Sequence, residues 1–220
     1  MAKHNTHLKW LAARSVIYLV TLTILTFSLV MLSSIIPPEQ LYEEGSVLEW
    51  VQLLFLLSSV VILGVIAHRY QHHRPLAIAL ASCFLAACIR ENDAFFDRYL
   101  FRHAWKMGVV IVVVVGVRAV LAERKLVGAS LRECANWLSS GVMLSGFMVV
   151  FVFSRILGYK VWWMAVMGDG YTRVVTRVAE ESVELLGYYL LLIGVLEYAL
   201  TLKRLDQQRS SSEPSKPAVD

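Results

Sequence analysis

SVIYLVTLTILTFSLVMLSSII, residues 15–36, runs for about 22 residues without a charged side chain. The hydrocarbon core of a bilayer is about 30 Å thick, and a helix rises about 1.5 Å per residue, so about 20 apolar residues cross it. This stretch therefore reads as a transmembrane helix, and it sets the class of the whole chain. Lys3, Lys9 and Arg14 precede it and Pro37-Pro38 stop it. A secretory signal peptide also starts basic and turns apolar, but its apolar core is about 7–15 residues long and ends at a small-residue cleavage site. The run here is longer and no such site follows, so the first span is expected to be retained.

Working outward, the same pattern recurs. Of 220 residues, 57% are apolar and 17% charged, which exceeds the apolar share of an ordinary soluble domain. Further spans are predicted at 47–67, 76–96, 107–122, 136–157 and 183–202. The expected fold is an all-α integral membrane protein, a single six-span transmembrane helix bundle over residues 15–205. A basic segment, 1–14, precedes it, and a polar tail expected to be disordered, 206–220, follows. Residues 159–171 are too short and interrupted to span and are expected at the interface. Gly141 and Ser145, four apart, suggest a small-residue packing face. Cys83, Cys88 and Cys134 show no paired redox or metal spacing and read as packing groups.

The net charge of +4 matters through its distribution. Lys3, Lys9, Arg14, Arg69, Arg74, Arg118, Arg124, Lys125, Arg132, Lys203 and Arg204 all flank one set of span ends, whereas most acids flank the other. Basic residues stay on the cytoplasmic side, so both termini are expected in the cytoplasm of a bacterial cell, with the protein in its inner membrane. Trp10, Trp50, Trp105, Trp137, Trp162 and Trp163 fall at span ends, where aromatic belts form. Because the basic residues sit at span ends, nucleic acid is not an expected partner; the lipid bilayer is. No internal repeat suggests an inverted-repeat transporter.

One stretch departs from the apolar pattern: Arg90-Glu-Asn-Asp-Ala-Phe-Phe-Asp-Arg-Tyr-Leu-Phe-Arg-His103. On a continuous helix Arg90, Asp93 and Asp97 lie within about 60° of one another. The predicted topology gives these residues, with Glu91 and His103, partners on the same side of the membrane. Those are Glu44 and Glu49 at the start of the second span, and Arg173, Arg177, Glu180, Glu181 and Glu184 at the start of the sixth. Arg173, Arg177, Glu180 and Glu184 again share about 60° of helix, and Gly187 and Gly194 continue that stripe inward. Charges in a bilayer require pairing, so a polar cluster fed by the second, third and sixth spans is expected near the outer leaflet, with Arg90 and Arg177 as counter-ions.

Three functions suit such a cluster. It can be an ion-pair clasp that fixes helix register. It can bind a polar ligand or lipid head group, with Arg90, Arg173 and Arg177 holding a phosphate; a small transporter or a subunit of a membrane complex would use it in the same way. It can also be a membrane-surface hydrolase or transferase in which carboxylates and His103 hold a divalent metal or act as acid and base. No recognised catalytic motif selects the last, so clasp or binding is the favoured expectation. No cofactor is expected beyond that possible metal, and no haem, because no span carries a central histidine. His68 and His72, four apart, could place two metal ligands on one helix face, but beside Arg69 and Arg74 they read as contacts to anionic head groups. Glu197, inside the last span, is expected to pair with Arg118 or Lys203.

Glu44-Gly45 with Glu49, Arg90-Glu91-x-Asp93, and Glu180-Glu181-Ser182-x-Glu184-x-x-Gly187 together resemble elements of small bacterial multi-span membrane proteins. In those proteins an acidic-Gly-Glu element opens the second span, an Arg-Glu-x-Asp ends the third and the last span is acidic. The resemblance implies the topology and the association of these acids, and no activity.

Overall fold

The computed structural model describes residues 2–43 and 45–212, with side chains from residue 9 onward except those of Ala94 and Ser212. Glu44 and residues 213–220 lie outside the described residues. The described chain is helical throughout: α1 (Ala2–Ile35), α2 (Pro38–Leu41), α3 (Val47–Arg69), α4 (Arg74–Glu91), α5 (Asp93–Tyr99), α6 (Ala104–Ala122), α7 (Arg124–Cys134), α8 (Leu138–Met148), α9 (Ser154–Leu157), α10 (Lys160–Met167) and α11 (Arg173–Ser212). A π turn, Val149–Phe153, joins α8 to α9 into one apolar rod. Among the described residues, six helices are long and apolar enough to cross a membrane.

Local chemistry sets the boundaries. Pro37 and Pro38 end the first rod, as neither can donate the N–H that a continuing helix needs. Ser46 caps α3 by accepting from the Glu49 N–H at 3.4 Å, while the Glu49 carboxylate reaches back to the Gly45 N–H, a capping box closed one residue early. Gly45 sits at φ 80°, where a side chain would be strained. Pro75 occupies the first turn of α4, where its missing N–H costs nothing.

α11 is the axis of the bundle. Its buried face carries Glu184, Leu185, Tyr188, Leu191, Val195, Tyr198 and Leu202, a helical repeat of three and four. It packs on α8 and on α3; α3 packs on α4, and α4 on α6. Phe84 of α4 meets Phe147 of α8 edge-on at 6.0 Å, closing a four-helix core of α3, α4, α8 and α11. The α8–α11 seam depends on glycine: a Cβ on Gly194 would lie 2.9 Å from the Met143 backbone nitrogen, and Gly187 sits against Val149 and Val150. α1 and α6 are peripheral. α1 leans on the bundle through Leu25, Leu29 and Leu32, which pack near Leu41, Tyr42, Leu48 and Leu185.

Four expectations need correction. Gly141 and Ser145 do not form the packing face of the fifth rod; both are exposed, and Ser139, Met143, Gly146, Val150 and Ser154 turn inward instead. The third span does not run on to residue 96. It breaks after Glu91: Asn92 leaves helical geometry at φ −104° and ψ 28°, and its side-chain amide joins its own backbone N–H on the Cys88 carbonyl, at 3.0 Å and 3.2 Å. The last helix begins at Arg173, ten residues before 183, and continues through 206–212, which composition had suggested to be disordered. Charged residues on a helix that projects past its apolar section lower the hydropathy without breaking the helix. The basic connector after residue 122 is also helical: in α7, Val127, Ser130 and Cys134 are buried while Arg124, Lys125 and Arg132 stay exposed.

Candidate functional site

Glu184 is 2% exposed, and an isolated carboxylate that deep is costly, so its partners define the site. Arg155 provides the main answer. One of its guanidinium nitrogens pairs with Glu184 Oε1 and the other lies 3.0 Å from Glu180 Oε1, bridging carboxylates one helical turn apart. The Ser154 hydroxyl lies 3.2 Å from Glu184 Oε1. The buried residues of this rod recur at 143, 146, 150 and 154, the helical repeat of three and four, so Ser154 lies on the stripe that meets α11 and its neighbour Arg155 arrives beside it.

Arg90, from the end of α4, approaches Glu184 at 3.9 Å and pairs with its neighbour Glu91. Glu91 in turn accepts a hydrogen bond from the Tyr188 hydroxyl at 2.6 Å, which ties α4 to α11, two helices that each also pack on α3. Glu181 accepts from the buried Gln52 of α3, whose Nε2 lies 3.2 Å from both the carboxylate and the backbone carbonyl of Glu181. Helices α3, α4, α9 and α11 are therefore joined at one end through Gln52, Arg90, Glu91, Arg155, Glu180, Glu181, Glu184 and Tyr188.

Beside this clasp opens a cavity of about 470 Å³. Glu43, Glu49, Glu180 and Glu181 supply its acidic lining; Lys160, Arg173 and Arg177 supply its basic lining. Lys160 lies over the Tyr171 ring, 5.9 Å from its centroid. Among the described residues, no carboxylate pairs with Arg173 or Arg177. Gly158 forms part of the wall, and a Cβ there would meet the Glu180 carboxyl carbon at 2.5 Å.

The residues expected from sequence thus divide. Arg90, Glu91, Glu180, Glu181 and Glu184 meet in the clasp; Glu49, Arg173 and Arg177 line the cavity with Glu180 and Glu181. Arg177 is not the counter-ion expected of it, since Arg155 takes that place. Asp93, Asp97 and His103 follow the break at Asn92, and Asp97 accepts the His103 backbone N–H at 2.7 Å instead of joining the clasp. Arg155, Ser154, Gln52 and Tyr188 were missed. Ser154-Arg155 carried one faint signal, a polar pair closing a run of apolar residues. Two lesser expectations also change. Glu197 pairs with neither Arg118 nor Lys203 but with Arg14 at 2.9 Å and the Tyr18 hydroxyl at 2.6 Å, pinning α1 to α11. His68 ends α3 whereas His72 lies on the short turn Gln71–His73, so the two do not share a helix face.

Compared with protein-family models, curated proteins and solved structures, the chain matches none, so the reading of its function rests on this geometry.

Proposed function

We propose that the chain is a multi-pass protein of a bacterial cytoplasmic membrane, both termini inside, whose outward-facing cavity binds a phosphate-bearing polar head group. The distribution of Lys and Arg supports the orientation, since they concentrate at the end of the bundle carrying Arg69, Lys125 and Arg204. One observation carries the binding reading: the clasp carboxylates are matched by Arg90 and Arg155, while Arg173 and Arg177 face the same cavity without a carboxylate partner among the described residues. Two guanidinium groups four residues apart on one helix face suit a phosphate, which each can bind through paired N–H donors. The acidic lining, Glu43, Glu49 and Glu181, suits an amine or hydroxyl-rich group on the same ligand. The clasp itself is structural and holds the wall in place.

The test is phospholipid binding to the full-length protein in mixed detergent micelles, followed by native mass spectrometry. Arg173→Gln with Arg177→Gln should weaken binding of a short-chain phospholipid at least tenfold and leave the melting temperature within a few degrees, in keeping with about 1.5–3 kcal/mol for a charged hydrogen bond. Equal binding by the double variant would reject the reading. A catalytic reading finds less support, because Asp97 turns to the His103 backbone N–H outside the clasp and each clasp carboxylate already has a donor.

A further inference from the structure

At the opposite end of the bundle, the turn Gln71–His73 faces α7. His72 Nε2 and His73 Nε2 lie 3.6 Å and 3.5 Å from the same oxygen of Glu133, and a ligand atom from each of the three residues lies within 4.8 Å of the others. We propose that His72, His73 and Glu133 form a binding site for a divalent transition-metal ion with the preferences of Zn2+.

The separations are long for hydrogen bonds but close to the edge of a coordination tetrahedron. Ligand atoms about 2.0–2.1 Å from a tetrahedral Zn2+ stand about 3.3–3.4 Å apart. The surrounding structure fixes the turn. The Ser130 hydroxyl donates to the His72 carbonyl at 2.9 Å. His73 is 4% exposed, its ring packed against both Trp137 and Tyr198. Its Nδ1 stands 3.0 Å from the Tyr198 hydroxyl. An Nδ1–H donated to that hydroxyl leaves the Nε2 lone pair directed at the Glu133 side, which is how a metal-binding histidine is usually oriented by its neighbours. His72 is half exposed, free to close the remaining gap.

Two imidazoles and one carboxylate favour Zn2+ and the late first-row ions over Mg2+ or Ca2+, which prefer all-oxygen sets. Three protein ligands leave a coordination position open. A cavity of about 560 Å³ lined by the three ligands adjoins it, with Asp206, Arg69 and Arg209 on its rim. Arg69 lies 3.6 Å from Asp206. The site therefore fits a metal ion that keeps one water in its open position.

The experiment is a Zn2+ titration of the full-length protein, purification tag removed, read by calorimetry and by the visible spectrum after Co2+ substitution. His4→Ala and His7→Ala are present throughout, so that the N-terminal histidines cannot contribute. The expected result is one ion per chain, a tetrahedral Co2+ spectrum, and affinity at least tenfold weaker in His72→Ala and in Glu133→Gln but unchanged in His68→Ala. His72 and Glu133 are the more exposed ligands, and an unchanged circular dichroism spectrum and elution volume confirm that each variant is folded. Absence of stoichiometric binding, or binding that survives both ligand variants, would overturn the proposal.

Discussion

Glu184 has two arginines within reach and they are not equivalent. Arg155 forms the close pair and also bridges to Glu180, whereas Arg90 stands at 3.9 Å and is mainly engaged by Glu91. Arg155→Ala leaves a buried carboxylate with a distant counter-ion, and is expected to cost about 3 kcal/mol. Arg90→Ala leaves the Arg155 pair intact and should cost about 1 kcal/mol. Thermal unfolding in detergent should therefore rank Arg155→Ala well below Arg90→Ala; the reverse order would mean that Arg90 is the principal partner. At the other end, burial pushes the Cys134 thiol up to about 11, because a thiolate there would lose its solvation. Alkylation of Cys134 by iodoacetamide in the folded protein should thus be slow at pH 8 and accelerate only as the pH approaches that value. Rapid reaction at pH 8 would show that the thiol is not sheltered beneath α7. Arg90 was expected near Glu184 from the sequence, but Arg155 was not. Spacing along one helix shows which charges share a face, but Arg155 belongs to another rod, and which rod lies against α11 is decided by packing.

The glycines make that choice at the level of elements. Small residues let helix backbones approach, and Gly187 and Gly194 are where α8 and the following π turn close on α11. Gly194→Val would drive its side chain into the Met143 backbone, and an overpacking cost of about 1–3 kcal/mol is expected. Gly64→Val, with open space around it, should be nearly neutral in the same melting assay. If the two variants melt alike, the seam is not as tight as described. The six apolar helices themselves were readable, since a stretch of about 20 apolar residues leaves few alternatives. Their ends were not. Hydropathy cannot follow α11 back to Arg173, and it passes over α7, whose pattern is amphipathic. The inward stripe Val127, Ser130, Cys134 would have identified α7 had the connector been read for period instead of apolarity. The break at Asn92 sets Asp93, Asp97 and His103 apart from the cluster, and a helical projection across residues 90–97 does not register it.

Across the whole molecule, the two ends of the bundle differ in charge and in chemistry: carboxylates and arginines meet around Glu184, histidines and a carboxylate around His73. The proposed orientation places the first outside and the second in the cytoplasm. Reporter fusions at Asp220 and within the 99–103 loop should then give cytoplasmic and periplasmic signals respectively, and the opposite pair of signals would invert the scheme. α1 stands apart from the four-helix core and is held through Glu197 by Arg14 and Tyr18, and by the Tyr189 hydroxyl, which donates to the Tyr18 carbonyl at 2.7 Å. The head-group reading of the outer cavity is tested most directly by an experimental density map of the protein in lipid nanodiscs. The prediction is phosphate density within hydrogen-bonding distance of both Arg173 and Arg177, lost in the Arg173→Gln, Arg177→Gln protein; a cavity holding only water, with both guanidinium groups turned onto Glu43 or Glu49, would contradict it.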